Sequence, residues 1–167
     1  MKIPETDPAN VVVLCQKQVA LSQLDRAVLL FMNEKDFVAS VTLACAAECI
    51  FGEALKDAGI NTPTDVIKGI LRDKFAPALT PKQVNDEAVN RARNFFKHKV
   101  GDIEEPTEFD LQTEAISAIA RAICHAGLVT GELSEHMIAF FEWLKANRPE
   151  LRDTEELDRE LSDKQYW

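Results

Sequence analysis

The sequence predicts an all-α protein, a bundle of about six helices in antiparallel up-and-down packing. Three observations carry that expectation. Apolar residues recur at three- and four-residue spacing along most of the chain. Helix start signals, Thr62-Pro63-Thr64-Asp65 and Thr80-Pro81-Lys82-Gln83, stand between the periodic runs. The six glycines and seven prolines are few, and most fall between the periodic runs. With 167 residues, 46% of them apolar and 28% charged, the chain has the size and composition for one hydrophobic core, which excludes wholesale disorder.

Residues 1–16 read as an N-terminal extension containing the apolar run Val11 to Cys15. Leu21, Leu24, Val28, Phe31 and Met32 form one stripe, so residues 17–34 are expected to be an amphipathic helix. Asn33-Glu34-Lys35-Asp36 is the joint to a second helix, from Phe37 to Ala58, which Gly59 caps. Its small residues Ala39, Ser40, Ala44, Ala46 and Ala47 allow close approach of another helix. A third helix is expected to run from Thr62 to about Phe75 with Val66, Ile67, Ile70 and Leu71 inward. A fourth opens at Thr80, where Gln83 completes a capping box, and is expected to continue to about Val100 with Val84, Ala88, Ala92, Phe95 and Phe96 facing the core. An acidic loop from Asp102 to Asp110 precedes helices at about 111–126 and 134–147, the latter carrying Ile138, Phe141, Trp143 and Leu144. Residues 17–147 thus form a single helical domain, and residues 148–167 a charged tail ending at Trp167.

Charge narrows the classes of function. The net charge is −9, which makes the chain a poor general binder of nucleic acid, and no DNA partner is expected. The negative charge is uneven: residues 80–100 carry five Lys and Arg against two acids, whereas residues 101–147 carry two against nine. The basic segment is therefore the place to look for a site. The longest uncharged stretch, Phe37 to Ala47, is eleven residues and too short to span a bilayer, so no membrane partner is expected. The amino terminus has no signal-peptide pattern; a cytoplasmic setting and four reduced cysteines are the resulting expectation.

One constellation stands out in the basic segment: Arg93-Asn94-Phe95-Phe96-Lys97-His98. At roughly 100° per residue, Arg93 and His98 lie roughly 140° apart on a helix, with Asn94 and Lys97 between them. That places guanidinium, amide, ammonium and imidazole groups along one exposed strip. Arg91 has Glu87 four residues earlier as an expected ion pair, whereas Arg93 has no acid at i±3 or i±4. Its partner must come from elsewhere in the fold, a second subunit, solvent or an anionic ligand. Glu48, alone in an otherwise uncharged helical run, is a candidate for pairing with Arg93 across the bundle.

The Arg, a polar residue, three more residues and a His resemble the R-x4-6-H signature of HEPN domains. Asp25-Arg26-Ala27-Val28-Leu29-Leu30-Phe31, Asp36-Phe37 and Ala44-Cys45-Ala46-Ala47-Glu48 are similar to that family's first two helices, so the resemblance covers roughly residues 20–100. It implies a four- or five-helix bundle, usually a homodimer, and in many members a metal-independent RNA endonuclease with a composite site at the dimer interface. Carried over, His98 acts as general base on the 2′-hydroxyl or general acid on the leaving oxygen, roles that suit an imidazole at neutral pH. Arg93 stabilises the charge of the phosphorane-like transition state, and Asn94 orients the phosphate or the imidazole. Lys97 and Glu48 are the accompanying binding residues. Other members of the family are non-catalytic dimeric modules. RNA, a protein partner and a small anionic ligand therefore all stand as expected partners, and the acidic loop Asp102–Asp110 weighs against RNA.

The remaining signals are assigned structural roles. Cys45 and Cys49 are four apart with apolar neighbours, which reads as two buried thiols; no metal or other cofactor is predicted. His125 is expected near a helix end before Gly127, touching the last carbonyls, and His136 in an exposed first turn. The Phe140, Phe141, Trp143, Leu144 cluster is core or dimer interface, with core as the first assignment.

Overall fold

A computed structural model describes residues 11–75 and 77–149. Residues 1–10 of the extension and residues 150–167 of the charged tail, with Trp167, lie outside the described residues. Among those described there are seven helices and no strand, so the all-α expectation holds. Helix α1 (Gln16–Leu29) closes in a π-helical turn, Leu30–Glu34, and is followed by α2 (Phe37–Asp57) and α3 (Pro63–Phe75). Helix α4 (Pro81–Gln83) passes into a π-helical segment, Val84–Val89, then α5 (Arg91–Lys97), α6 (Leu111–Thr130) and α7 (Glu135–Asn147).

Short-range caps mark the observed ends, those at Gly59, Thr80 and Ser134 as predicted. The Cys15 N–H donates to Gln18 Oε1 at 2.9 Å at the start of α1. Lys35, in the left-handed region at φ 57°, ends the first run, and the Asp36 carboxylate accepts the Ala39 N–H to open α2. Gly59 at φ 74° caps α2, returning its N–H to the Lys56 carbonyl. Thr80 and Gln83 form the expected capping box, and Ser134 caps α7 by accepting the Met137 N–H.

Helix α2 is the centre of the bundle and packs against α1, α5 and α6. Ala44 and Ala47 are fully buried, and Ser40 turns its hydroxyl back to the Asp36 carbonyl, so the neighbouring helices reach the α2 backbone. By length and apolar composition α2 as a whole is also able to cross a membrane, although its longest uncharged run is eleven residues; half of that apolar window is buried inside the bundle. Phe31 in the π-turn anchors α7 to α1: its ring lies 5.4 Å from Phe37, 5.5 Å from Phe140 and 4.8 Å from Trp143.

Three expected faces differ. The helix from Thr80 is not continuous to Val100. Asn90 donates its N–H to the Asn85 carbonyl five residues back and its amide to the Asn85 side chain, and at φ −113°, ψ 14° it breaks the run. The π-register adds a residue to the turn and rotates the succeeding residues about the helix axis. Val89 and Asn90 are consequently buried, Ala88 is exposed, and Phe95 faces outward beside Phe96 and Phe109. Arg91 does not meet Glu87; it donates to the Glu108 carbonyl and stacks its guanidinium 4.7 Å from the Phe109 ring centroid, which docks the acidic loop on α5. On α3, Val66, Ile70 and Leu71 are half-buried and Ile67 exposed, because they line an open groove instead of the core. On α7, Met137 and Phe140 are the buried pair, while Ile138 is half exposed.

Candidate functional site

The cavity between α2 and α5 has a volume of about 540 Å³ and is lined by Thr42, Cys45, Ala46, Cys49, Arg93, Phe96 and Lys97. Its residues come from two local patterns. Thr42, Cys45, Ala46 and Cys49 recur at i, i+3, i+4, i+7, which makes one face of α2. Arg93, Phe96 and Lys97 make the matching face of α5. Arg93 is half-buried and donates from its guanidinium to Cys49 Sγ at 2.7 Å. Among the described residues no carboxylate pairs with it. A thiol is a weak acceptor, so this cation is only partly satisfied by its own chain.

Of the predicted site residues, Arg93 and Lys97 meet in this cavity; Asn94 and His98 do not line it. His98 is off the helix altogether. It is the residue after the last helical turn, extended at φ −127°, ψ 148°, its N–H donating to the Asn94 carbonyl and its side chain exposed. The helical-wheel angle between Arg93 and His98 therefore does not apply. The cause is the break at Asn90, which leaves α5 only seven residues, and the docking of Phe109 on Phe95 and Phe96, which turns the chain away.

Glu48 does not pair with Arg93. It points to another face of α2 and meets Arg121 of α6, with Arg121 Nε 3.0 Å from Oε1 and a second guanidinium nitrogen 3.3 Å from Oε2. The Thr64 hydroxyl of α3 donates to the same carboxylate, and Arg121 also donates to Ser117 Oγ at 2.7 Å. Burial alone acts to raise the Glu48 carboxyl; the charge and hydrogen bonds of Arg121, with the Thr64 hydroxyl, outweigh it and hold the carboxyl below its ordinary value of 4.5. His125 joins the cluster, away from any helix end. Its Nδ1 stands 3.3 Å from the Glu48 carbonyl, which can only accept, so Nδ1 carries the proton and Nε2 accepts the Thr64 N–H at 3.4 Å. Gly52 makes room for the ring: a Cβ there would stand 3.4 Å from Cε1 and Nδ1. Burial pushes the His125 pKa below 6.5 and outweighs the opposing pull of Glu48.

This cluster joins α2, α3 and α6, contributes no residue to the cavity between α2 and α5, and is 94% or more buried at Glu48, Thr64, Arg121 and His125. It is a structural core of polar groups. The sequence carries a signal for it: Glu48 and Arg121 are each a lone charge in the middle of an apolar helix, and Ser117, Arg121 and His125 repeat at four-residue spacing.

Acid should destabilise the fold in two stages. The folded imidazole of His125 binds its proton less tightly than the unfolded one, so stability falls as pH drops below 6.5 toward the folded pKa. The Glu48 carboxyl is held low, so its contribution is lost only as pH falls from 4.5 through its folded pKa. Urea unfolding across pH 8 to 3 should show both stages, and His125→Gln should remove the first; an unchanged slope between pH 6.5 and 5 in that variant would assign the effect elsewhere.

Among the described residues no three His, Cys, Asp or Glu side chains converge to hold a metal ion. All four cysteines are free thiols. A second concavity, about 690 Å³ between α3, α6 and α7, is almost wholly apolar and contains none of the predicted site residues. Compared with models of protein families, with curated proteins and with solved structures, the chain matches none.

Proposed function

We propose that this chain is a non-catalytic, HEPN-like helical module, dimeric and cytoplasmic, that binds a small anionic ligand in the cavity between α2 and α5. The single observation that carries the reading is Arg93: a half-buried guanidinium lining a cavity of small-molecule size, held by a thiol and, among the described residues, by no carboxylate. Lys97 adds a second positive charge, while Cys45, Ala46 and Phe96 offer apolar wall. The chemistry suits a phosphate or carboxylate attached to a compact apolar or aromatic body.

RNA cleavage is the second reading, and one observation favours it. His98 is exposed and outside its own cavity, so it is free to meet the Arg93 of a second copy, as a composite site at a homodimer interface requires. Asn94, half-buried and outside the cavity, would serve that composite site as well.

One paired experiment separates the two. Inorganic phosphate and benzoate, titrated by calorimetry, should bind the wild type and lose about 10- to 100-fold in affinity in Arg93→Ala, the equivalent of one charge-assisted hydrogen bond or two. His98→Ala should leave that affinity unchanged. In parallel, end-labelled single-stranded RNA in EDTA should remain intact. Cleavage by the wild type that Arg93→Ala and His98→Ala both abolish would replace the binding reading with the nuclease one.

A further inference from the structure

The cavity holds two thiols that are not equivalent. Cys45 is buried, and burial, followed by the nearby Glu48 charge, pushes its pKa up to about 11, so at neutral pH its sulfur is a protonated, inert thiol. Cys49, one turn further along α2, is half-buried, lines the cavity, and receives the Arg93 guanidinium on its sulfur. Lys97 stands on the same wall. Of the other two, Cys124 is exposed at the apolar groove, where partial desolvation raises its pKa, and Cys15 sits on the exposed lead into α1.

We propose that Cys49 is a site of mixed-disulfide formation with small anionic thiols, selected by the positive charges of Arg93 and Lys97. The proposal rests on the reading that the cavity takes anions and adds what the bound anion does there. The co-reactant is the symmetrical disulfide of a carboxylate-bearing thiol. Cys49 gives its proton to solvent and its sulfur attacks the nearer sulfur of the bound disulfide. The old S–S bond breaks as the new one forms, and the departing thiolate takes a proton from solvent. One thiol and one disulfide thus become one mixed disulfide and one thiol, with the added disulfide as the two-electron oxidant.

The groups in the cavity serve each stage. Arg93 already donates to Sγ, so the guanidinium faces the atom that carries the negative charge once Cys49 has given up its proton. Lys97 offers a counter-charge to a carboxylate of the incoming molecule. Cys45 is the one neighbouring thiol on the same face, and its protonated state disfavours resolution into a Cys45–Cys49 bond, so the mixed disulfide persists.

The test uses the full chain with two disulfides of opposite charge, oxidised glutathione (anionic) and cystamine (cationic), at equal concentration. Intact mass and peptide mapping follow each cysteine, and Cys15 in the same molecule is the internal reference. The expected result is a preference for the anionic disulfide at Cys49 that is about tenfold greater than the preference at Cys15. Arg93→Ala should reduce that ratio toward the Cys15 value, and Lys97→Ala, at an exposed position, should reduce it in part without endangering the fold. Equal preference at both cysteines, faster reaction of Cys49 with cystamine, or an unchanged ratio in Lys97→Ala would overturn the proposal. If phosphate binds in the calorimeter while Cys49 remains unmodified, this inference falls and the anion-binding reading stands; if neither occurs, both fall.

Discussion

Arg121→Met is expected to destabilise the protein by about 3–5 kcal/mol, because it leaves the Glu48 carboxylate buried without its counter-charge. Glu48 and Arg121 are 5% and 6% exposed, so water cannot take over the lost partner. The remaining donor to the carboxylate is the Thr64 hydroxyl, one neutral hydrogen bond where there had been an ion pair with two guanidinium contacts. Part of the loss is relieved if Glu48 takes up a proton, which moves the penalty toward higher pH. Glu48→Met should be of similar size, since it strands the guanidinium against Ser117 alone. The double variant should lose less than the two single losses combined, by about 2 kcal/mol, because no unpaired charge remains. Urea unfolding monitored by circular dichroism gives all three values. Losses below 1 kcal/mol in the single variants, or strict additivity in the double, would mean that the pair is solvated and does not tie α2 to α6.

Phe31→Ala should cost about 3–5 kcal/mol through a cavity that its neighbours cannot close. Phe31 is fully buried, and its ring contacts three others from two different elements, Phe37 of α2 and Phe140 and Trp143 of α7. Backbone conformation adds a constraint. The residue sits in the π-turn that ends at Lys35, so the surrounding backbone is fixed by the chain reversal and is poorly able to relax inward. The same variant should redshift the emission of Trp143, as the indole loses its edge-on partner and gains water. A loss under 1 kcal/mol with unchanged emission would show that α7 is not held to α1 through this cluster.

Much of the helical framework was legible from residues close together in the chain. The 17–34 run, the Phe37–Asp57 helix, the capping box at Thr80 and the α7 start at Ser134 all derive from spacing and caps that act over three or four residues. The basic segment was legible as a charged strip, and two of its residues, Arg93 and Lys97, line a cavity. The arrangement of that cavity was not legible. Its face depends on one residue added to a turn at Asn85–Asn90, which has no counterpart in a uniform 3.6-residue wheel and which leaves His98 and Asn94 outside the cavity.

Local sequence is thus enough to set the all-α class, most of the helix ends, and the two lone charges Glu48 and Arg121 in apolar helices. Packing between distant helices settles who meets whom: Glu48 pairs with Arg121, 73 residues away, and not with Arg93, and His125, inside α6 and not at its end, meets the carbonyl of Glu48, 77 residues away. Propensity and capping are short-range and are satisfied within a turn, whereas a buried charge is satisfied only by whichever opposite charge the packing of whole helices brings within about 3 Å of it.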